Sequence, residues 1–207
     1  METTTTKIEI NKMSQILTTP KGTAVYPRIA EPDTKFNTDG VYHCKLHVSE
    51  NDFNLFSKTV TDIVEKEYEA ECAIKGKKLN RATTSPIRIT AEGDYELYAK
   101  QVAQRQTAKG LLKFTVPIFD ASGTRLGKAP NVGSGSTLKL STEVYTWFTP
   151  TQGFGYTLRL KAVQVIDLVE YAGGGSVFGK EDGSFIDDGE SLDTAFEEEE
   201  APSGVGF

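Results

Sequence analysis

The chain has 207 residues, 38% of them hydrophobic, and a formal net charge of −6, which suits one domain of ordinary size with or without an appendage. It contains no run of about 18 apolar residues, so we expect no membrane-spanning helix. The first residues, METTTTKIEINK, lack the apolar stretch of a signal peptide, and a cytoplasmic location is expected. Cys44 and Cys72 follow no metal-binding or redox spacing, so we predict reduced thiols.

The charge is divided unevenly along the chain. Residues 171–207 hold ten acidic residues and one basic residue, a net charge of −9, which leaves 22 basic and 19 acidic residues in 1–170. We predict a flexible arm over 1–20, a folded domain over 21–172 and a disordered acidic tail over 173–207. Such asymmetry indicates a body that meets a polyanion and a tail that resembles one.

The first half of the body predicts two strands and a helix. GTAVYPRIAEPD (22–33) suggests a short strand that Pro27 interrupts. VYHCKLHV (41–48) alternates as a half-buried strand does. The helix is predicted over 51–74, because apolar residues recur there at spacings of three and four, and Ser49 with Asp52 resembles a capping box.

Four strands follow the helix in the prediction: 95–103, 111–120, 136–148 and 156–171. QRQTAKG is predicted to connect the first two of these strands, and DASGTRLG to form a turn. Five or more strands, one helix and Gly-rich turns predict a small, mainly β barrel rather than a parallel sheet.

Catalytic and metal-binding patterns are missing from the sequence. His43 and His47 would lie about 13 Å apart on a strand, too far to share one zinc ion, so we expect exposed polar side chains. GTRLGKA (123–129) is one residue short of a phosphate-binding loop and has Ala129 in place of the magnesium-binding hydroxyl. We therefore predict neither an enzyme nor a cofactor or metal.

The outward faces of the late strands combine cations with aromatic rings. Single-stranded nucleic acid needs this mixture, because cations follow the phosphates and flat rings stack on unpaired bases. Ordinary cross-strand pairs would give the same pattern, and alternation alone leaves both interpretations open. The acidic tail favours the first one. The predicted contact residues are Tyr98, Lys100, Lys139, Tyr145, Trp147, Phe154, Arg159 and Lys161.

Four segments, in the same order, resemble one known family. They are GTAVYPRIAEPD followed by DGVY and a helix, GSGSTLKLSTEVYTW (133–147), GFGYTLRLKAVQVIDLVE (153–170) with GGG after it, and an acidic tail that ends in Phe207. Together they are similar to the single-stranded DNA-binding proteins of short-tailed coliphages of the T-seven type. The resemblance covers most of residues 22–175 at modest identity.

The resemblance implies an OB-fold, which is a five-stranded barrel capped by a helix, and a homodimer that acts in phage DNA replication, recombination and repair in the cytoplasm of an infected bacterium. Family members cover single strands, promote strand annealing, and contact the replicative DNA polymerase and the helicase–primase through the tail. Tyr98, Tyr145 and Trp147 occupy the family's aromatic positions, and Lys139 stands where relatives carry lysine. The tail departs from the pattern, because its acidic residues stop seven residues before the end.

The resemblance also suggests a use for the ring of Phe207. The predicted tail contacts are Glu197, Glu198, Glu199, Glu200 and Phe207. The acids would imitate phosphates and the ring a base, first in the DNA groove and, once DNA displaces the tail, on a replication protein. Two alternatives remain at this point: an OB-fold RNA-binding or RNA-chaperone protein, and a structural phage module with a solubilising tail.

Overall fold

The computed structural model describes residues 15–170 of the chain. Most of the predicted arm and the predicted tail, including Glu197 to Glu200 and Phe207, lie outside the described residues. Within them are ten strands and one helix. The strands are β1 (Ile16–Thr18), β2 (Gly22–Asp33), β3 (Val41–Val48), β4 (Ile87–Ile89), β5 (Tyr95–Val102), β6 (Gln104–Thr107), β7 (Gly110–Lys113), β8 (Ile118–Phe119), β9 (Thr137–Thr149) and β10 (Gly153–Asp167). The helix α1 spans Glu50–Lys75.

Five long strands close into a barrel. Hydrogen bonds connect β9 to β2, β2 to β3, β3 to β5 and β5 to β10, and β10 pairs with β9 again. The β5–β10 pair is parallel and the other four pairs are antiparallel. Because the barrel is closed, each of these five strands has a hydrogen-bonded neighbour on both sides. The predicted mainly β barrel is therefore confirmed.

Strict alternation along the strands builds the core. In β9, every second residue from Leu138 to Thr146 is buried and the residues between them are half-buried. Leu46, Leu97, Leu140 and Leu158, one from each of four barrel strands, have relative exposures of 0%. Because neighbouring side chains on a strand point to opposite faces, the same alternation places the remaining residues on the outside of the barrel.

The helix covers one part of the barrel, as its apolar stripe predicts. The Ser49 hydroxyl accepts a hydrogen bond from the Asp52 N–H, so Ser49 is the N-cap as expected, and it donates one to the Asp52 carboxylate. In a full capping box that carboxylate would instead accept from the Ser49 N–H. Gly76 ends the helix in the left-handed conformation, with φ of 64°, which glycine adopts at little cost. The buried face consists of Phe53, Phe56, Val60, Val64 and Tyr68. No helix in the described residues is long and apolar enough to span a membrane.

Several stretches differ from the prediction, and one of them is β4, where no strand was predicted. The polar segment 104–107 is strand β6, which forms a hairpin with β7, although QRQT lacks the apolar alternation that identifies a strand. The strand predicted over 111–120 is broken into β7 and β8, and Pro117, which has no N–H for a ladder, lies in the break. Residues 16–18 of the predicted arm pair with β9 as strand β1.

Strand β2 continues through its proline instead of being interrupted. The register with β3 shifts between Val25 and Arg28, so the extra residues form a bulge. Tyr26 adopts a φ of 47° there, and its N–H donates to the Ser134 hydroxyl at 2.9 Å. The bulge bends the strand while keeping both of its halves in the sheet.

Both cysteines are free thiols. Cys44 is buried in the core, and burial raises the pKa of its thiol to about 12. Its thiolate is therefore disfavoured, which suits a packing residue rather than a reactive one.

Candidate nucleic-acid interface

A groove of about 260 Å³ runs along the outside of the barrel where β5, β9 and β10 meet. Five of the eight predicted contact residues line it: Lys100, Tyr145, Trp147, Arg159 and Lys161. The other lining residues are Gln101, Val102, Arg105, Phe114 and Thr157. The geometry thus brings together cations and rings that lie up to 61 positions apart in the sequence.

Strand register explains why these side chains meet. Arg159 on β10 stands beside Lys100 on β5, and on its other side it faces Glu143 of β9. The next outward positions along β9 are Tyr145, opposite Thr157, and Trp147, opposite Gly155. A row of charged side chains therefore lies beside a row of aromatic ones.

Trp147 lies over a glycine of the neighbouring strand. A Cβ atom built on Gly155 would come within 2.5–2.9 Å of three atoms of the Trp147 ring, closer than carbon atoms can approach. The indole Nε1 donates to Thr157 Oγ1 at 3.3 Å. Gly155 thus provides the flat surface on which the indole ring rests, and the hydrogen bond fixes its orientation.

Two of the cations are held by neighbours in the groove. The Arg159 guanidinium carbon lies 3.2 Å from the centre of the Tyr145 ring, a stacked arrangement. Lys161 Nζ is 2.9 Å from Glu143 Oε2, so its charge is partly balanced. Lys100 is exposed and makes no ion pair with any residue from 15 to 170.

Tyr98 and Lys139 lie outside the groove. Tyr98 is opposite Lys45 on β3, and its ring centre is 6.1 Å from that of His43. Burial raises the pKa of the Tyr98 phenol, so the hydroxyl is neutral near pH 7. Lys139 is opposite Gln164, and it lies eight residues from Trp147 along β9, about 27 Å at the usual rise of a strand.

Phe154 is a wrong prediction for the interface. Its side chain is 5% exposed and its ring centre lies 5.2 Å from that of Tyr68 on α1. Its N–H donates to the Asn80 carbonyl, and its own carbonyl accepts from the Ala82 N–H. Phe154 follows the turn between β9 and β10, and the chain there packs inward beneath the helix. The residue therefore belongs to the core.

The two histidines are half-buried beside carboxylates and do not share a site. His43 Nε2 is 3.7 Å from Asp33, while His47 lies 3.5 Å from Asp94 and 3.8 Å from Glu96. Burial lowers the pKa of His43, although Asp33 acts in the opposite direction. Among residues 15–170, no three His, Cys, Asp or Glu side chains converge as metal ligands would. The expectation of exposed histidines is wrong, because neighbouring side chains partly cover both rings.

Arg105 and Phe114 line the groove without having been predicted. Arg105 lies on β6, and Phe114 directly follows β7. The sequence contains only a weak signal for these two residues. QRQT is a short polar stretch, AKG is typical of a turn, and LLKF follows it. Two side chains of this hairpin approach the same groove as Trp147, which only the tertiary arrangement reveals.

Comparison with known proteins identifies similar folds. No family model and no curated protein matches the sequence. Among solved structures, gp2.5, a single-stranded DNA-binding protein encoded by bacteriophage T7, has a TM-score of 0.65 and 22% identity, over 84% of this chain and 100% of that one. The single-stranded DNA-binding protein from bacteriophage Enc34 in complex with ssDNA has a TM-score of 0.57 and 12% identity, over 76% of this chain and 89% of that one. A C-terminal truncation of the Enc34 protein also has a TM-score of 0.57, at 11% identity over 75% and 87% of the two chains. These likenesses establish the fold, which is the OB-fold that the sequence resemblance implies.

Proposed function

We propose that this protein binds single-stranded DNA in the groove between β5, β9 and β10, with little preference for sequence and without enzymatic activity. The observation that carries the proposal is the row of Trp147 and Tyr145 beside the row of Lys100 and Arg159. Solved structures of similar fold are phage single-stranded DNA-binding proteins, one of them in complex with ssDNA, and they support it.

In the groove, cations and aromatic rings make separate contributions to the affinity for single-stranded DNA. Lys100, Arg159 and Lys161 attract the phosphates, and release of condensed counterions contributes affinity that depends on salt. Trp147 and Tyr145 offer ring faces on which unpaired bases stack. Since every base has such a face, stacking accepts any sequence. Duplex DNA hides its base faces in the helical stack, so it would gain only the charge contribution.

The broader role rests on the family resemblance and on the chain's charge distribution. In this proposal the protein is a homodimer that covers and anneals single strands during phage DNA replication, recombination and repair, in the cytoplasm of the infected host. The acidic tail, with Glu197 to Glu200 and Phe207, competes with DNA for the groove. When DNA displaces it, the tail recruits the replicative polymerase and the helicase–primase. Tyr98 and Lys139 extend the DNA path beyond the groove.

Competition binding tests the proposal. A labelled oligo(dT) is bound by the full-length protein, and its fluorescence anisotropy is followed while unlabelled competitors are added. We expect single-stranded DNA of mixed sequence to displace the probe about as well as oligo(dT), and duplex DNA much less well. Stronger displacement by RNA of the same sequence would instead indicate an RNA-binding protein. Absence of binding at low salt would favour a structural role.

A further inference from the structure

The β6–β7 hairpin stands beside the groove as a separate two-stranded sheet. Its ladder pairs Gln104 with Lys113, Arg105 with Leu112, Gln106 with Leu111 and Thr107 with Gly110, and it shares no ladder with the barrel strands. At its base, the Phe114 N–H donates to the Ala103 carbonyl at 2.7 Å. At its tip, the Thr107 hydroxyl donates to the Gly110 carbonyl at 2.8 Å. The hairpin is thus a defined element with its own two faces.

Register determines which face meets the groove. Residues directly opposite each other in an antiparallel pair project to the same side. Arg105 lines the groove, so its partner Leu112 lies on the groove side. Phe114, two residues further on, also lines the groove. Leu111 and its partner Gln106 belong to the opposite face.

The hairpin exposes an unusual amount of apolar surface for a strand pair beside a charged groove. Leu111, Leu112 and Phe114 have relative exposures of 49%, 50% and 37%. The segment 104–114 also carries Arg105, Lys109 and Lys113 and contains no acidic residue. A positive surface with apolar side chains on it complements a polyanion that has flat apolar groups, which is the chemistry of an unpaired strand.

We propose that the β6–β7 hairpin is a second wall of the single-stranded DNA site, in which Leu112 and Phe114 contact bases and Arg105 contacts a phosphate. This inference rests on the function proposed above. It assigns the bases two sets of contacts: ring faces on the barrel, from Tyr145 and Trp147, and apolar side chains on the hairpin. The Arg105 guanidinium makes no ion pair within the described residues, so it is available to the phosphate.

Neighbouring leucines provide a matched pair of variants. Leu112→Ser and Leu111→Ser make the same chemical change at nearly equal exposure on opposite faces of one strand. Binding of labelled oligo(dT) to each full-length variant is measured by anisotropy, and thermal unfolding of each is followed by circular dichroism. We expect Leu112→Ser to weaken binding roughly three- to tenfold, the effect of losing part of a buried leucine. We expect Leu111→Ser to bind as the unaltered protein does.

An abasic oligonucleotide separates base contacts from phosphate contacts. It retains the charges but offers no ring, so the difference between the two leucine variants should vanish on it. A difference that persists on the abasic strand, or equal affinities of the two variants for oligo(dT), overturns the hairpin proposal. If the unaltered protein fails to bind oligo(dT), the proposed function itself fails, which is a distinct result.

Alkylation provides a second measurement that does not depend on affinity. Leu112→Cys and Leu111→Cys are made in a Cys72→Ser background, since Cys72 is half-buried and Cys44 is buried. Saturating oligo(dT) should slow the reaction of a maleimide with the thiol at position 112 at least several-fold and leave position 111 unchanged. Equal rates at both positions with and without DNA would contradict the proposal.

Discussion

Trp147 owes its position to the residue opposite it. Glycine is the one residue type that leaves room for the indole ring at position 155, because even a methyl group there would lie within 2.5–2.9 Å of the ring. The hydrogen bond from Nε1 to Thr157 then limits rotation of the ring. A ring held in this way loses little conformational freedom when a base stacks on it, which favours binding.

Removing the indole tests the role of Trp147 directly. We expect Trp147→Ala to weaken binding of oligo(dT) by about 1–3 kcal/mol, the usual contribution of one stacked base, as measured by anisotropy. Phe36→Ala is the control, because Phe36 is 88% exposed and lies outside the groove. Equal affinity of Trp147→Ala and the unaltered protein would remove Trp147 from the site.

Gly155→Ala tests the support beneath the ring. The added methyl group must displace the indole, so we expect weaker binding of oligo(dT) with little change in the fold seen by circular dichroism. The double variant Gly155→Ala, Trp147→Ala should bind no more weakly than Trp147→Ala alone, since the methyl group acts through the ring. Additive losses in the double variant would show that Gly155 acts by another route.

The helix and the strands β3, β9 and β10 were predictable because one periodic pattern governs most of each element. Alternation in β3, β9 and β10 identified the outward residues, and these proved to be half-buried or exposed while their neighbours were buried. The stripe and the cap of α1 gave its bounds to within one residue at each end. In such elements, local sequence and tertiary packing favour the same structure.

The short elements were not predictable, for physical reasons. β6 is polar on both of its faces, so its sequence shows no alternation of apolar and polar residues. Its pairing with β7 comes from the turn between them. Phe154 follows a turn whose path is decided by contacts with Asn80 and Ala82, more than 70 residues earlier in the chain. An aromatic residue beside a loop looks the same in the sequence whether the chain turns inward or outward.

The cations of β5, β9 and β10 should control the salt dependence of binding. Four phosphate contacts, by Lys100, Lys139, Arg159 and Lys161, predict a slope of log affinity against log salt of about −3, at roughly −0.7 for each contact. Lys100→Ala should flatten the slope by about one contact and weaken all sequences alike. Lys58→Ala is the control, because Lys58 lies exposed on α1. An unaltered slope in the quadruple alanine variant would show that the phosphates run elsewhere.

Across the whole molecule, charge is arranged as the sequence indicated. The net charge of residues 1–170 is positive and that of residues 171–207 is strongly negative, and the barrel gathers cations from separate strands into one groove. The composition predicts an anion site. It could not predict the site's position, because Lys100 and Arg159 become neighbours only through the parallel pairing of β5 with β10.

Deletion of residues 176–207 tests the tail as a competitor. If the tail enters the groove, its removal should raise the affinity for oligo(dT) at low salt, and the gain should shrink as salt screens the charges. A tethered competitor acts at an effective concentration near millimolar, so even a weak contact would register. Neutralising Glu197 to Glu200 should recover more of that gain than Phe207→Ala. Equal affinities of the full-length and shortened proteins at low salt would mean that the tail stays out of the groove.

The central claim is that unpaired bases stack on the groove floor formed by β9 and β10, and the fluorescence of Trp147 reports on it most directly. The chain contains one tryptophan, so its emission comes from that floor alone. Titration of the full-length protein with oligo(dT) at low salt, with binding followed independently by anisotropy, should quench the emission strongly and in proportion to occupancy. Unchanged emission at saturation would show that the bases do not stack there and would contradict the account.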